Sequence, residues 1–416
     1  MNMIWDITYK CNLKCTHCGA IKFKKNERLD NKQKIIKYIS PFVKQIDLLG
    51  GEPLTNPFVF NIINNLKENK IKVRIITNGQ FSDDIAKKLI DTKIDIILVS
   101  IDGLDNENDK IRGIGSWKNA ISFIQSLIKY NKVNNLSIIG VNVVLNKKNF
   151  FNIDKLIDYL STFDIQLIQI NPLITTGRCE DNKNELIISE DLKINTYEKI
   201  SKHIINNNIN NVKLFTEYPL ITKYLNQKYG TNFPMPDNSC RALIDTIYCD
   251  PNGNITPCRR YKTESISNET ATTWNNDFNI FDDFLNKTCL DISRENCNNC
   301  DCYEICFQCP LDKKESKPLI CKIIDERYKY WEGNKDSTFK LVKPYSLIEK
   351  DNLFFIYNPI LEIKTQYTKE GFNILNSIIE PKTIKEINKI TSIPCEIIYR
   401  FLLQEKQLGK IIEINN

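Results

Sequence analysis

Cys11, Cys15 and Cys18 stand in a C-x3-C-x2-C spacing within Cys11-Asn12-Leu13-Lys14-Cys15-Thr16-His17-Cys18. Three thiolates on one short loop can hold three corners of a cubane iron–sulfur cluster and leave its fourth iron open to a substrate or cofactor. The same residue types also serve a zinc knuckle. A second set lies far downstream, where ten cysteines fall between Cys240 and Cys321. Seven of them, Cys240, Cys258, Cys297, Cys300, Cys306, Cys309 and Cys321, spell C-x12-G-x4-C, then C-x2-C-x5-C-x2-C, then a final C. Such thiolate sets suit zinc and iron–sulfur clusters equally. His17 and His203 are the only histidines, which excludes His-rich metal sites.

The totals narrow the setting. A chain of 416 residues, 42% hydrophobic, predicts two or three globular domains. The net charge of +6 does not demand nucleic acid and would suit an acidic peptide partner. No apolar run approaches a bilayer span, and no basic segment followed by an apolar stretch opens the chain. The expectation is a cytoplasmic protein with no membrane and no nucleic-acid partner. In a reducing compartment, 15 cysteines argue for metal binding rather than disulfides.

The elements that must position the first cysteines alternate. Met3-Ile4-Trp5-Asp6-Ile7 reads as a strand and the cysteines as the loop after it. A helix is expected over 34–39 and a strand over 45–49 ending in Gly50-Gly51-Glu52-Pro53. A helix over 57–69 then leads to a strand over 72–76 ending in Thr77-Asn78-Gly79. A strand over 94–101 ends in Ser100-Ile101-Asp102-Gly103. A helix (117–130), a strand (136–145), a helix (151–160) and a strand (166–170) follow. This is an α/β pattern with a parallel sheet and right-handed crossovers. Polar and glycine residues gather past the C-terminal strand ends, where barrels of this kind place their sites. Cys240 and Cys258 bracket Asp250-Pro251-Asn252-Gly253-Asn254, a hairpin signal. After a polar linker, residues 336–416 read as short strands, three helical patterns (369–378, 383–390, 394–405) and a last strand over 410–413. That order describes a winged helix.

The cysteine loop, with a ring at His17 before the last cysteine, resembles the signature of the radical S-adenosylmethionine (SAM) enzymes. Gly50-Gly51-Glu52-Pro53 matches the GGEP motif of that family. The resemblance covers residues 1–215 and implies a partial (β/α)6 TIM-like barrel as the domain over 1–235. It implies a [4Fe-4S] cluster on Cys11, Cys15 and Cys18 whose open iron is chelated by SAM. The GGEP backbone and the Glu52 carboxylate would accept hydrogen bonds from the SAM ammonium. Asn78 and Ser100 lie where the family contacts the ribose and the methionyl group; polar caps at strand ends are the other reading. Residues 105–116 (DNENDKIRGIGS) are similar to the loop whose arginine pairs with the SAM carboxylate, which makes Arg112 the candidate. Residues 172–178 (PLITTGR) resemble the loop near the adenine.

The downstream cysteines, residues 236–325, resemble the SPASM domain, with one spacing of two residues where that pattern has three. The resemblance implies two auxiliary [4Fe-4S] clusters. Cys297, Cys300, Cys306 and Cys321 would hold the outer one, and Cys240, Cys258 and Cys309 the inner one. Cys249 is a possible fourth ligand, or that iron is open to substrate; Cys289 and Cys302 are extra. Arg259 follows Cys258 where sulfatase-maturing relatives carry an acid, which disfavours that activity. Residues 336–416 resemble PqqD-like peptide-recognition domains. Together these likenesses imply an anaerobic oxidoreductase for RiPP maturation. A 5′-deoxyadenosyl radical would take hydrogen from a ribosomally made precursor peptide and a crosslink would follow, a Cys thioether foremost. Epimerisation, carbon–carbon crosslinking, decarboxylation, a small metabolite or another protein as substrate are the alternatives. The implied partners are a precursor peptide, its leader held by the C-terminal domain, and an electron donor such as flavodoxin or ferredoxin.

Overall fold

A computed structural model describes residues 1–19, 32–41, 43–133, 136–217, 219–234, 246–259, 338–341, 346–350, 353–358, 363–393, 398, 401, 402, 405 and 411–414. Cys240, Cys289, Cys297, Cys300, Cys302, Cys306, Cys309 and Cys321 lie outside these residues. The chain divides into two compact units. Described residues 1–196, 208–217 and 246–259 belong to the first, and 197–207, 219–234 and the described residues from 338 onward to the second.

The elements up to residue 259 run β1 (Asn2–Asp6), α1 (Lys32–Ile39), β2 (Gln45–Leu49), α2 (Val59–Glu68), β3 (Lys72–Thr77), α3 (Asp83–Asp91), β4 (Ile96–Ser100), α4 (Asn106–Arg112) and α5 (Ser116–Asn131). They continue with β5 (Ile138–Leu145), α6 (Ile153–Ser161), β6 (Leu167–Pro172), α7 (Arg178–Asp181), α8 (Lys183–Leu186), α9 (Glu190–Asn206), β7 (Val212–Leu214), α10 (Pro219–Tyr229), β8 (Thr246–Cys249) and β9 (Ile255–Thr256). Among the described residues one sheet has the order β7-β6-β5-β4-β3-β2-β1-β8-β9. Every pairing in it is parallel except β8 with β9.

Register sorts the side chains. Trp5, Leu48, Ile75, Ile97 and Ile139 fall in one row across β1–β5 and are at most 1% exposed. Positions one residue away point to the other face. That face carries the polar groups: Arg74 donates to Asp47 across β2 and β3, and Ser100, Asn142 and Gln169 form a row across β4–β6. The six alternating strands expected from the sequence are present. Helix α3, absent from that expectation, begins after Ser82 with Asp83 and Asp84 in its first turn and buries Ala86, Leu89 and Ile90, a start signal of ordinary strength. Three-residue β7 is too short to show a pattern. The expected hairpin is β8–β9, its turn held by Asp250 accepting from the amides of Asn252 and Asn254. Unforeseen is its neighbour: β8 pairs in parallel with β1, so the hairpin extends the first unit's sheet.

The second unit adds β10 (Thr338–Leu341), β11 (Ser346–Lys350), β12 (Leu353–Asn358), β13 (Ile363–Tyr367), α11 (Lys369–Ser377), β14 (Lys382–Thr383), α12 (Ile384–Thr391) and β15 (Ile411–Ile414). Two three-stranded sheets result, β14-β10-β15 and β11-β12-β13. Strand β13 was not expected. Ile398, Phe401, Leu402 and Glu405 are helical and share one face by spacing. Phe339, Leu341, Ile356, Ile374, Leu375, Ile378, Ile387, Ile398, Leu402 and Ile411 make a contiguous core. The helix starts are capped: Thr368 accepts from Gly371 N, and Thr383 with Glu386 forms a capping box.

Candidate functional site

The cysteine loop is fastened at its entry, middle and exit. At its entry, Gly51 N donates to Thr8 O at 2.8 Å and Glu52 N to Lys10 O at 2.7 Å, continuing the β1–β2 pairing past the strand ends. Glycine is required there. A Cβ on Gly50 (φ +139°) would lie 2.3 Å from the Thr8 carbonyl oxygen, and one on Gly51 2.2 Å from that of Lys10. In the middle, Thr16 N donates to Ile111 O at 2.8 Å. At the exit, Arg178 donates from its backbone N to Cys18 O (2.9 Å) and from Nε to Cys15 O (3.1 Å). Asn182 Nδ2 donates to Thr16 O at 3.1 Å.

The three thiols are free of disulfides, with Cys11 exposed, Cys15 buried and Cys18 between. Burial pushes the Cys11 and Cys15 thiols up; metal coordination works in the opposite sense by holding thiolates. Among the described residues no three Cys, His, Asp or Glu side chains converge closely enough to hold a metal ion. The donor chemistry nonetheless fits an iron–sulfur cluster, since the loop carries three soft ligands on an anchored backbone.

Around the loop the structure gives the expected site residues partners within the chain. Glu52 is 1% exposed and its carboxylate is turned inward. Oε1 accepts from Leu54 N (3.1 Å) and Thr77 Oγ1 (2.7 Å), and Oε2 from Asn78 N (2.7 Å). It clamps the end of β2 to that of β3. Burial pushes its pKa up to about 7, against the pull of these donors. Pro53 is buried at the start of a 3-10 turn capped by Glu52. Asn78 is buried and donates to Asn12 Oδ1 at 2.6 Å, touching the cysteine loop directly. Ser100 is 7% exposed at the end of β4, opposite Asn142.

Arg112, expected to face a cofactor carboxylate, already has one within the chain: its Nε lies 2.6 Å from Asp102 Oδ2. Both side chains are buried, at 7% and 0% exposure, and a buried guanidinium demands such a counter-charge. His17 Nε2 lies 3.4 Å from the same oxygen. Burial lowers the His17 pKa, with Asp102 opposing, and its Nδ1 is buried without a partner. The ring is a neutral group beside the cysteines with an open polar atom.

On the other side of β1, Asp6 Oδ2 accepts from Tyr248 OH (2.8 Å) and Arg259 Nε (3.0 Å), and Arg259 also donates to Gly50 O at 3.3 Å. Cys258 therefore sits one residue from a side chain that reaches the strand ends beside the cysteine loop. Cys249 is fully buried and shares a register row with Trp5, on the apolar face rather than with Tyr248 and Asp6. Asp102, Arg178, Asp6 and Tyr248 were missed as site residues in the sequence. Asp102 and Arg178 lie inside quoted stretches, but the Asp6–Arg259 pair joins strand ends too far apart for spacing to show.

A parallel sheet with a cysteine loop anchored at its C-terminal end is the architecture of a radical SAM domain. Residues 5–160 match the Radical SAM superfamily, and that part of the chain is a radical SAM domain. Fe-coproporphyrin III synthase of Methanosarcina barkeri is 28% identical over 190 residues, 44% of this chain and 46% of the relative. Mycofactocin maturase MftC of Mycobacterium tuberculosis is 27% identical over 202 residues, 47% and 50% of the two chains. The chain thus aligns with about half the length of these curated relatives. Streptococcus suis SuiB shares the fold: its crystal structure bound to precursor peptide SuiA has a TM-score of 0.60, 18% identity, and coverage of 77% of this chain and 75% of that one. No helix among the described residues is long and apolar enough to cross a membrane.

Proposed function

We propose that the chain is a radical SAM maturase that modifies a ribosomally made precursor peptide. The observation that carries this reading is the anchored loop of Cys11, Cys15 and Cys18, set among Gly50, Gly51, Asn78 and Arg178 at the C-terminal strand ends. A [4Fe-4S] cluster with SAM at its open iron would supply the 5′-deoxyadenosyl radical that takes hydrogen from a peptide carbon. The chain's own residues do the positioning. Gly50 and Gly51 admit the loop, Glu52 joins the ends of β2 and β3, and Asp102 holds Arg112 and faces His17. Ser100, Asn142 and Gln169 line the polar face of the sheet beside them.

The finer parts of the reading are supported by sequence likeness. A SPASM domain over 236–325 would carry two auxiliary [4Fe-4S] clusters on the cysteines named above. An inner cluster with an incomplete ligand set could hold a substrate cysteine thiolate, which makes a thioether crosslink the leading product. The second unit would hold the leader peptide by adding it as a strand to an exposed sheet edge. MftC, a maturase, and SuiB, crystallised with its precursor peptide, are relatives in keeping with a peptide substrate. A small metabolite is the second reading, favoured by the match to Fe-coproporphyrin III synthase.

The test is anaerobic expression with a candidate precursor peptide. Iron and sulfide content, SAM cleavage and peptide mass are measured for the native chain and for Cys15→Ala. The reading requires SAM cleavage that disappears in the variant and a peptide lighter by two hydrogens per crosslink. SAM cleavage with every peptide unchanged would transfer the assignment to a small-molecule substrate.

A further inference from the structure

Ser100, Asn142, Gln169 and Lys213 lie in one register row across β4, β5, β6 and β7, on the polar face of the sheet. Asn171, two residues past Gln169, shares that face. Carboxamides placed here lose their water and add no apolar packing, so their hydrogen bonds show what they serve. Asn171 Nδ2 donates to Asn142 Oδ1 at 2.7 Å. Gln169 Nε2 donates to Asn171 Oδ1 at 3.1 Å and to Asn142 Oδ1 at 3.5 Å. These bonds use the oxygen of Asn142 and the nitrogen of Gln169. Asn142 Nδ2 and Gln169 Oε1 make no hydrogen bond among the described residues, although each residue is only 9% exposed.

The two unused atoms belong to register partners, so a donor and an acceptor stand on neighbouring strands about 5 Å apart. A carboxylate has no proton for Gln169 Oε1, and an ammonium has no lone pair for Asn142 Nδ2. A neutral amide satisfies both, its C=O accepting from Asn142 and an N–H donating to Gln169. Asn171 fixes the pair from the side, so little freedom is lost when a ligand arrives. The row runs from the cysteine loop to solvent. Val144, two residues past Asn142 and about 7 Å along the strand, donates its N–H to Asp102, which meets Arg112 and His17. At the other end Lys213 is exposed on β7, an edge strand among the described residues. A chain entering over that edge reaches the two carboxamides before the cysteine loop.

We propose that Asn142 and Gln169 bind one backbone amide of the substrate peptide and so set which of its residues faces the cysteine loop. This rests on the peptide reading above. A contact to the main chain ignores side chains, so the pair holds the register of the peptide whatever residue is to be modified. The adenine edge offers similar chemistry, an amino N–H beside a ring nitrogen, and the experiment separates the two.

The experiment uses the full chain with its cluster reconstituted, and the precursor peptide that becomes lighter in the test above. SAM binding is measured by calorimetry without peptide, and KM and kcat for the peptide by mass spectrometry. Gln169→Met removes the acceptor at similar volume; Asn142→Asp removes the donor and keeps the oxygen that Asn171 uses. Each is expected to raise KM for the peptide about tenfold and to leave the SAM dissociation constant unchanged, which also reports a folded site. Peptides carrying one ester in place of one amide then locate the contact. At one position the ester should raise KM on the native chain and add nothing on Gln169→Met. A KM indifferent to both substitutions overturns the proposal, as does an ester loss that adds to Gln169→Met at every position. SAM binding weakened tenfold gives the pair to the adenine and overturns it too. A native chain that cleaves SAM and lightens no peptide is a different failure: it overturns the peptide reading, and this proposal with it.

Discussion

Around the cysteine loop the first unit buries Asp6, Glu52, Asp102 and Arg112, each below a tenth exposed. The second unit instead gathers Phe339, Ile356, Leu375, Ile387 and Leu402 in an apolar core, with Thr368 and Thr383 working as caps at helix starts. Buried ions cost desolvation and hold position only when every partner is present. An apolar core is more tolerant and gives no directional grip. The first unit has spent stability on fixing a loop; the second joins its apolar core to scattered buried polar groups such as Lys223 and Glu405.

The sharpest way to break this contrast is Asp102→Ala, which strands the buried Arg112. The expected loss is about 3–5 kcal/mol in chemical denaturation. The double variant Asp102→Leu with Arg112→Met removes both charges and should lose far less than the two single losses added. Additive losses would show that the pair is not the coupled unit described here. Next in size, Leu375→Ala in the second unit opens a cavity at a fully buried position and should cost about 2–4 kcal/mol, with no change in the iron the chain takes up on reconstitution. Thr383→Ala removes one half of the capping box and should cost about 1 kcal/mol, seen as a small drop in the unfolding midpoint.

The last effect is a slope. Glu52 has its pKa raised in the fold from 4.5 to about 7, so the folded state holds its proton more tightly than the unfolded chain. Its contribution is fully present below the ordinary value and is lost as the pH rises through about 7. Glu52→Gln should flatten the stability profile across that window when native and variant curves are subtracted. A difference curve that rises with pH over the same range would show that the donors from Leu54, Thr77 and Asn78 outweigh burial.

Much of the first unit was legible because its signals are local. Alternating strands and helices, the C-x3-C-x2-C loop and the paired glycines at 50 and 51 each occupy a few consecutive residues, and the structure places them in one region. Hairpin β8–β9 was legible for the same reason. Its pairing with β1 was not, since nothing in Thr246–Cys249 names the strand it will lie beside. Arg112 is instructive: its type and loop were legible, and its partner within the chain, Asp102, was not. A guanidinium fork suits any carboxylate, and only the approach of β4 to the end of α4 supplies Asp102.

The sequence by itself determined the cysteines of the loop, their spacing and the parallel order of the first six strands, because thiol spacing and hydrophobic period act over a few residues. The tertiary structure decided what each buried carboxylate holds: Asp102 with Arg112, Asp6 with Arg259, Glu52 with the Thr77 hydroxyl and the Asn78 amide at the β3 end. Those pairings depend on which strand ends come to lie side by side, and the free energy of a buried charge is set by its neighbours in space rather than by its neighbours in the chain.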